Sequence, residues 1–221
     1  MLSISNTFSN VQKQKTGVPQ GFVLGPVLFL IFINDLPLSN SNHNTDLFAD
    51  DSTISVIGQN KSCISQKLNT VLQDIFRWCD DNKMAVNVFK TKAICIDSKQ
   101  KLSVTSNKNI NLSINGHQIK ESICEKVLGI FVAASLSWSS HIDYIIKKVN
   151  SSLALLKRIK KYLNHKARPM FYNVYVLPHL DYCCSIWGNC NNFLLDSLLK
   201  LQKRAARIIL DEHDYTKPSS E

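Results

Sequence analysis

The chain has 221 residues and 44% of them are hydrophobic, a length and composition that allow a buried core in one large domain or two small ones and exclude a disordered chain. Its 26 lysine and arginine residues exceed its 17 acidic residues, which gives a formal net charge of +9. The surplus is concentrated after residue 137, where 13 basic side chains stand against 7 acidic ones, so we expect a polyanion to bind there. A basic surplus alone is as typical of a solvated surface as of a nucleic-acid-binding one.

The first part of the chain carries no recognisable targeting or membrane signal. Residues 1–16 are polar and lack the apolar core of a secretory signal peptide. The apolar run Phe22–Ile33 contains Pro26 and is shorter than the roughly 20 residues that span a bilayer. We therefore predict an intracellular protein, in the cytoplasm or nucleus, with no membrane partner.

The seven cysteines are odd in number and scattered through apolar segments, which is typical of reduced, buried side chains. The alternative is a zinc site built from His179, Cys183, Cys184 and Cys190. Because these residues show no CxxC motif and no regular ligand spacing, we predict that the cysteines serve packing and bind no zinc.

The chain begins with a loop, a helix and a hairpin. A polar lead, in which a frayed strand is predicted, precedes a glycine-punctuated loop and a helix over Val27–Leu36. Apolar residues flank Asp50 and Asp51 on both sides, which predicts a hairpin over Asp46–Val56 with the acidic pair at its tip.

One long helix and several short strands follow. Apolar residues at three- and four-residue spacing predict an amphipathic helix with the stripe Ile64, Leu68, Val71, Leu72, Ile75 and Trp78. Short strands are predicted at Lys92–Ile96 and Val127–Val132. A hairpin over Leu112–Ile119 is predicted to turn at Asn115-Gly116, the dipeptide that most favours a two-residue turn. These elements predict an α+β fold for this part of the chain.

From residue 138 the pattern becomes helical and basic. A long helix is predicted by the apolar stripe Ile142, Ile145, Ile146, Val149, Leu153, Leu156, Ile159 and Leu163. Further helices are predicted over Ala167–Val176 and Phe193–Leu210. We therefore predict two domains, an α+β domain over residues 1–137 and a basic helical domain over residues 138–221.

The adjacent carboxylates Asp50 and Asp51 are the most informative pair in the chain. Carboxylates at a strand turn suit Mg²⁺, a hard cation that usually takes only one or two protein ligands while phosphates and water supply the rest. The plain alternative is turn chemistry, because an aspartate in a turn hydrogen-bonds its own backbone. The motifs around the pair, and the family resemblance that they carry, favour metal binding over turn chemistry.

Three consecutive motifs precede and include this pair. They are Gly17-Val18-Pro19-Gln20-Gly21 with its continuation to Phe29, Ile33-Asn34-Asp35-Leu36-Pro37, and Phe48-Ala49-Asp50-Asp51. Together they resemble the reverse transcriptase of non-LTR retrotransposons of the LINE, jockey or CR1 type. The resemblance continues through Trp78-Cys79, Asn82-Lys83-Met84, Asn87 to Lys92, Leu128-Gly129, Leu136-Ser137-Trp138, Leu180-Asp181-Tyr182 and Trp187-Gly188.

The resemblance implies a partial reverse-transcriptase palm, a hairpin-bearing antiparallel sheet with helices, followed by a helical thumb. Asp50 and Asp51 would be the catalytic metal ligands, with Asp50 the principal one, and Lys90 would assist the departure of pyrophosphate. Leu128 and Gly129 would form the primer grip. The implied nucleotide- and template-binding residues are Gly17, Gln20, Gly21, Phe48 and Ala49.

The resemblance also implies a packing role for Phe48 and a set of residues that contact the nucleic-acid backbone. Phe48 would pack beneath the hairpin. Nucleic-acid phosphates would bind to the thumb residues Lys157, Arg158, Lys160 and Lys161. Without the resemblance, these four basic residues and Lys90 are typical of a solvated surface.

The chain also departs from the family in its acidic residues. No acidic residue precedes Gly17, whereas the family's two-metal site takes a carboxylate from an earlier strand as well as the hairpin pair. We therefore expect a truncated copy that lacks the fingers and the first catalytic aspartate and is inactive alone. The implied cofactor is Mg²⁺ or Mn²⁺. The implied partners are an RNA template, a DNA primer, deoxynucleoside triphosphates and an upstream reverse-transcriptase segment. The alternatives are a non-catalytic nucleic-acid-binding remnant and an inert translated relic.

Overall fold

The computed structural model describes residues 3–4, 7–8, 17–18, 21–39, 43–104 and 110–211. The chain divides into two compact units. Unit 1 comprises Met1–Thr91 and Ile110–Ile119, and unit 2 comprises Lys92–Asn109 and Lys120–Glu221. This division follows compactness, and the boundary at residue 138 stays a prediction about function.

The elements alternate between short strands and helices. In chain order they are β1 Ser3–Ile4, β2 Thr7–Phe8, α1 Gly25–Ile33, a 3₁₀ turn Leu36–Ser39, β3 Asn44–Phe48, β4 Asp51–Ser55, α2 Lys61–Asp81, β5 Ala93–Ile94, α3 Lys99–Val104, β6 Leu112–Ile114, β7 His117–Ile119, β8 Glu121–Ser122, β9 Cys124–Val127, β10 Ile130–Ala133, α4 Ser139–Ile159, a 3₁₀ turn Lys160–Tyr162, α5 Ala167–Tyr175, α6 Leu177–Asp181, α7 Cys184–Trp187 and α8 Asn192–Leu210. Among the described residues, the strands form five two-stranded sheets, of which only β5–β8 is parallel. The predicted α+β composition is confirmed, whereas the single antiparallel palm sheet stays a prediction.

Helix α2 and the β6–β7 hairpin form the centre of unit 1. The Asn60 side chain accepts a hydrogen bond from the Cys63 N–H at 2.8 Å and caps the start of α2. The Asn69 side chain donates to the Asn111 carbonyl at 2.9 Å and accepts from the Ser113 N–H at 3.0 Å, which ties α2 to the edge of β6. The predicted amphipathic helix is confirmed, because Val71 and Leu72 of its apolar stripe are buried and the other stripe residues are half-buried.

The hairpin turn in unit 1 also agrees with its prediction. Asn115 and Gly116 have φ of +46° and +77°, the two positive values that a type I′ turn requires. Because this turn fixes the register, Leu112, Ile114 and Ile119 all lie on the buried face.

Helix α1 is apolar on all sides, yet only Ile33 is buried. The exposed side chains of this helix are Val27, Leu28, Leu30, Ile31 and Phe32. A helix that is apolar all round is normally buried in a larger core. Unit 1 therefore presents an apolar surface that is suited to packing against further polypeptide.

The core of unit 2 lies between α4 and α8. The predicted apolar stripe of α4 is buried through Ile142, Ile145, Val149, Leu153 and Leu156. It packs against Leu198, Leu201 and Ala205 of α8 and against Val176, Leu180 and Trp187. The Arg204 guanidinium donates to the Asn150 side chain at 2.8 Å across the same pair of helices.

Arg168 joins the ends of two helices of unit 2. Arg168 is 7% exposed, and its guanidinium donates to the Lys160 carbonyl at 3.2 Å and to the Ile209 carbonyl at 3.3 Å. Asp211 pairs with both Arg168 and Lys160. The carbonyls at the ends of helices lack intrahelical partners, so this arginine satisfies one such group at the end of α4 and one in the last turn of α8.

The predicted single strand over Val127–Val132 is wrong. The structure has two antiparallel strands, β9 and β10, joined by a turn at Leu128-Gly129. Both turn residues have positive φ, +46° and +89°. Because leucine rarely adopts positive φ, the residue types at these two positions do not predict the turn.

Across the described residues, no helix is both long enough and apolar enough to cross a bilayer.

Candidate functional site

The acidic pair lies at the tip of the β3–β4 hairpin, as predicted. The register pairs Phe48 with Asp51 and leaves Ala49 and Asp50 as the two-residue turn. Ala49 has a φ of +51°, a conformation that costs a residue with a side chain about 1 to 2 kcal/mol. This tight turn exposes both carboxylates to solvent.

Asp51 shares the exposed face of the hairpin with Asp46. Directly opposed residues point to the same face, and alternate residues along a strand do so as well, which places Asp46, Phe48, Asp51 and Thr53 together. Asp46 and Asp51 are diagonal neighbours, a relation that typically separates residues by about 7 to 8 Å. Among the described residues, however, no group of three acidic, histidine or cysteine side chains is arranged to hold a metal ion.

Phe48 does not pack beneath the hairpin, so that expectation is wrong. Its side chain is 64% exposed, because the pleat places it on the outer face with Asp51. Thr45, Leu47 and Ile54 are the half-buried residues of the inner face. A contact between Phe48 and a nucleotide or template stays a prediction.

The glycine-punctuated loop requires unusual backbone geometry. Gly17 and Gly21 have φ of +74° and +83°. A Cβ added at Gly21 would meet no atom within 4 Å, so the conformation rather than crowding favours glycine there. Gln20 lies outside the described residues.

Lys90 lies in a turn of unit 1, outside the residues of the β3–β4 hairpin. Its N–H donates to the Asn87 carbonyl at 3.1 Å and to the Asn87 side-chain oxygen at 3.2 Å. The Lys90 side chain is exposed and follows the exposed ring of Phe89. The turn therefore fixes the backbone and presents the ammonium group to solvent.

The Leu128-Gly129 turn belongs to unit 2, where two side chains attach its hairpin to the helices. Tyr182 Oη donates to the Leu128 carbonyl at 2.7 Å, and the Phe131 N–H donates to His141 Nδ1 at 3.4 Å. Burial, with a smaller contribution from the Lys126 charge, lowers the pKa of His141. The imidazole is therefore neutral at pH 7 and can accept this hydrogen bond.

The four basic residues predicted to contact phosphates do not share one face. Lys157 and Arg158 are exposed, but consecutive helical residues project about 100° apart. Lys160 is paired with Asp211, whereas the Lys161 ammonium lies 4.9 Å from the centre of the Tyr162 ring. Lys157, Arg158 and Lys161 are therefore the most accessible of the four.

The structure adds a basic and aromatic cluster that was not predicted. The ammonium groups of Lys126 and Lys148 lie 5.1 and 5.7 Å from the centre of the Tyr144 ring. Tyr144 and Lys148 are four residues apart on α4, a spacing that the sequence shows. Lys126 comes from β9, and no local spacing shows that contact.

The cysteines divide between buried and accessible positions. All seven are free, with Cys79, Cys95 and Cys190 buried and Cys184 exposed. Burial raises the pKa of the Cys79 thiol, which therefore stays protonated at neutral pH. The absence of zinc stays a prediction.

Comparison with known proteins assigns the chain to a family. Residues 1–149 match the family model described as reverse transcriptase (RNA-dependent DNA polymerase). The chain belongs to this family. The resemblance that the motifs carry is thus confirmed, and the relatives described next show that it lies with the enzymes of non-LTR retrotransposons.

Three relatives illustrate the similarity. The chain is 30% identical to the retrovirus-related Pol polyprotein from type-1 retrotransposable element R1 2 of Nasonia vitripennis, over 77% of the chain and 43% of that protein. It is 27% identical to the probable RNA-directed DNA polymerase from transposon BS of Drosophila melanogaster, over 96% of the chain and 24% of that protein. It is 23% identical to the RNA-directed DNA polymerase from mobile element jockey of Drosophila melanogaster, over 94% of the chain and 23% of that protein.

The chain therefore spans less than half of the length of these relatives. No solved structure matches it.

Proposed function

We propose that the chain is part of an RNA-directed DNA polymerase, to which it contributes a metal-binding hairpin and a basic helical unit that holds the nucleic acid. The observation that supports this most is the exposed Asp50-Asp51 pair at the tip of β3–β4, in a chain of the reverse transcriptase family. The substrates would be an RNA template, a DNA primer and deoxynucleoside triphosphates. The protein would act inside the cell.

Asp50 and Asp51 fit Mg²⁺ or Mn²⁺ by their chemistry and exposure. Such a hard cation uses one or two protein carboxylates and completes its shell with phosphates and water, and both of these side chains are exposed. When bound, the ion would stabilise negative charge on the transferring phosphoryl group. Lys90 would add positive charge for the leaving pyrophosphate.

The hairpin requires further polypeptide for catalysis. A two-metal site needs ligands that fix both ions, whereas the described residues contain no group of three potential ligands. The exposed apolar surface of α1 is a second reason to expect a covering segment. We therefore propose an upstream reverse-transcriptase segment as a partner and an inactive chain when that partner is absent.

The basic helices of unit 2 would bind an RNA–DNA hybrid through its phosphates. Lys157, Arg158 and Lys161 are accessible for such contacts, and Lys160 would contribute less because it is paired with Asp211. Three phosphate contacts predict a salt slope of about −2.7, so affinity should fall about 40-fold between 50 and 200 mM salt.

Reversing the charge of Lys157, Arg158 and Lys161 to Glu should therefore weaken hybrid binding and flatten its dependence on salt. A filter-binding titration at several salt concentrations measures both quantities. The matched control reverses the exposed Lys83, Lys99 and Lys120, which changes the net charge equally outside residues 138–221. Equal losses in the two triple variants would show that net charge, rather than a surface on the helices, drives binding.

A non-catalytic nucleic-acid-binding remnant would give the same binding results. Primer extension in the presence of the upstream segment separates the two functions, because only a polymerase would show it.

A further inference from the structure

One side chain fastens the Leu128-Gly129 turn to the helices of unit 2. The hydroxyl of Tyr182 donates to the Leu128 carbonyl oxygen at 2.7 Å, although the two residues are 54 positions apart. The ring of the same tyrosine lies against Gly129. A Cβ added at Gly129 would come within 3.1 Å of Tyr182 Cε1, so any other residue would require the ring to shift by a few tenths of an ångström.

The turn has a strained backbone that needs such support. Leu128 has a φ of +46° and is followed by Gly129 at +89°. Residues with bulky side chains occupy this region at a cost and keep it only where the surroundings hold them there. The hydrogen bond from Tyr182 is made to the backbone carbonyl of the strained residue, Leu128, whose side chain stays exposed.

The backbone of Tyr182 is itself held by hydrogen bonds to neighbouring residues of unit 2. Its backbone carbonyl accepts from Trp187 Nε1 at 2.9 Å, and Trp187 is 4% exposed within the α4–α8 core. The backbone N–H of Tyr182 donates to the Pro178 carbonyl at 3.1 Å. The neighbouring Cys183 raises the pKa of the Tyr182 phenol, so the hydroxyl is protonated and can donate at neutral pH.

We infer that Tyr182 is a positioning residue, whose hydroxyl holds the Leu128-Gly129 turn in the conformation that contacts the primer strand. This inference rests on the primer-grip role that the family resemblance implies for Leu128 and Gly129. The tyrosine contributes through the turn and does not itself touch the reacting atoms. Through its two hydrogen bonds it connects the buried Trp187 to a turn whose Leu128 side chain is exposed.

The test uses Tyr182→Phe in the full chain, which removes the hydroxyl but keeps the ring beside Gly129. Tyr175→Phe is the matched control, since Tyr175 is 54% exposed against 51% for Tyr182 and makes no side-chain hydrogen bond within the described residues. Hydrogen exchange of the amides of residues 127–130 reports the turn. Affinity is measured for two RNA–DNA hybrids of equal length. In the recessed hybrid the DNA primer has a 3′ end inside the length of the RNA template, and in the uninterrupted hybrid the DNA strand pairs with the whole template.

We expect Tyr182→Phe to speed exchange in residues 127–130 and to lower affinity for the recessed hybrid by about three- to tenfold, the effect of losing one hydrogen bond. The uninterrupted hybrid and the control variant should show no change. A merely structural role would instead lower the affinity for both hybrids.

The two readouts separate failure of the inference from failure of the proposed function. Unchanged exchange in Tyr182→Phe overturns the inference, whatever the binding results are. Faster exchange with an unchanged ratio of the two affinities also overturns it, because the turn would then be held but not used. A wild-type chain that does not distinguish the two hybrids overturns the primer-grip role itself, and the positioning role with it.

Discussion

Template-directed primer extension should appear when the fingers and first palm strands of an intact relative are added to this chain, and Asp50→Ala should abolish it. The chain alone should extend a primer at no more than the background rate. Metal ions supply several kcal/mol of stabilisation to a phosphoryl-transfer transition state, so losing a principal ligand should cost at least about 100-fold in rate. A primer-extension assay with each component omitted in turn measures this.

Asp80→Ala is the matched control for this experiment, because Asp80 is an exposed carboxylate near the end of α2. It should leave the restored activity unchanged. Extension by the lone chain that is lost in Asp50→Ala would overturn the proposed need for an upstream segment. In that case Asp46, which shares the exposed face with Asp51, and Asp35 would be the candidates for the third acid.

Leu153→Ala should lower the free energy of unfolding of the chain by about 3 kcal/mol. Leu153 is 0% exposed between α4 and α8, and truncating such a side chain removes its burial and leaves a cavity. Leu155→Ala makes the same chemical change two residues later, where the side chain is 47% exposed, and should cost no more than about 0.5 kcal/mol.

Urea denaturation followed by circular dichroism measures the difference through the midpoint at constant slope. Comparable losses at positions 153 and 155 would contradict the α4–α8 core, since the two leucines differ mainly in burial.

The helices of this chain could be predicted well because their signals are local. The apolar stripes of α2 and α4 repeat at helical spacing, and a helix buries that stripe wherever its partner lies. The Asn115-Gly116 turn was predictable for the same reason, since both residues tolerate positive φ.

Features that depend on distant contacts could not be predicted. Leu128 occupies a conformation that leucine rarely adopts, and its carbonyl is held by Tyr182, which lies far along the chain. The pairing of Lys160 with Asp211 likewise joins residues 51 positions apart and removes one predicted phosphate ligand from ready access.

In the β3–β4 hairpin, the residues at the tip could be predicted from the sequence but the face on which Phe48 lies could not. Apolar flanks placed Asp50 and Asp51 at its tip, but the face of Phe48 depends on the register, which a two-residue turn at Ala49-Asp50 fixes. A register shifted by one residue would have turned Phe48 inward.

Titration of Mn²⁺ into the isotope-labelled chain, followed by NMR line broadening, tests most directly whether the β3–β4 hairpin is a metal site. We expect weak binding, with broadening centred on residues 48–52, that is lost in Asp50→Ala, reduced in Asp51→Ala and unchanged in Asp80→Ala. Broadening that persists at the hairpin in Asp50→Ala, or that never reaches the hairpin at millimolar Mn²⁺, would contradict the assignment of this acidic pair to metal binding.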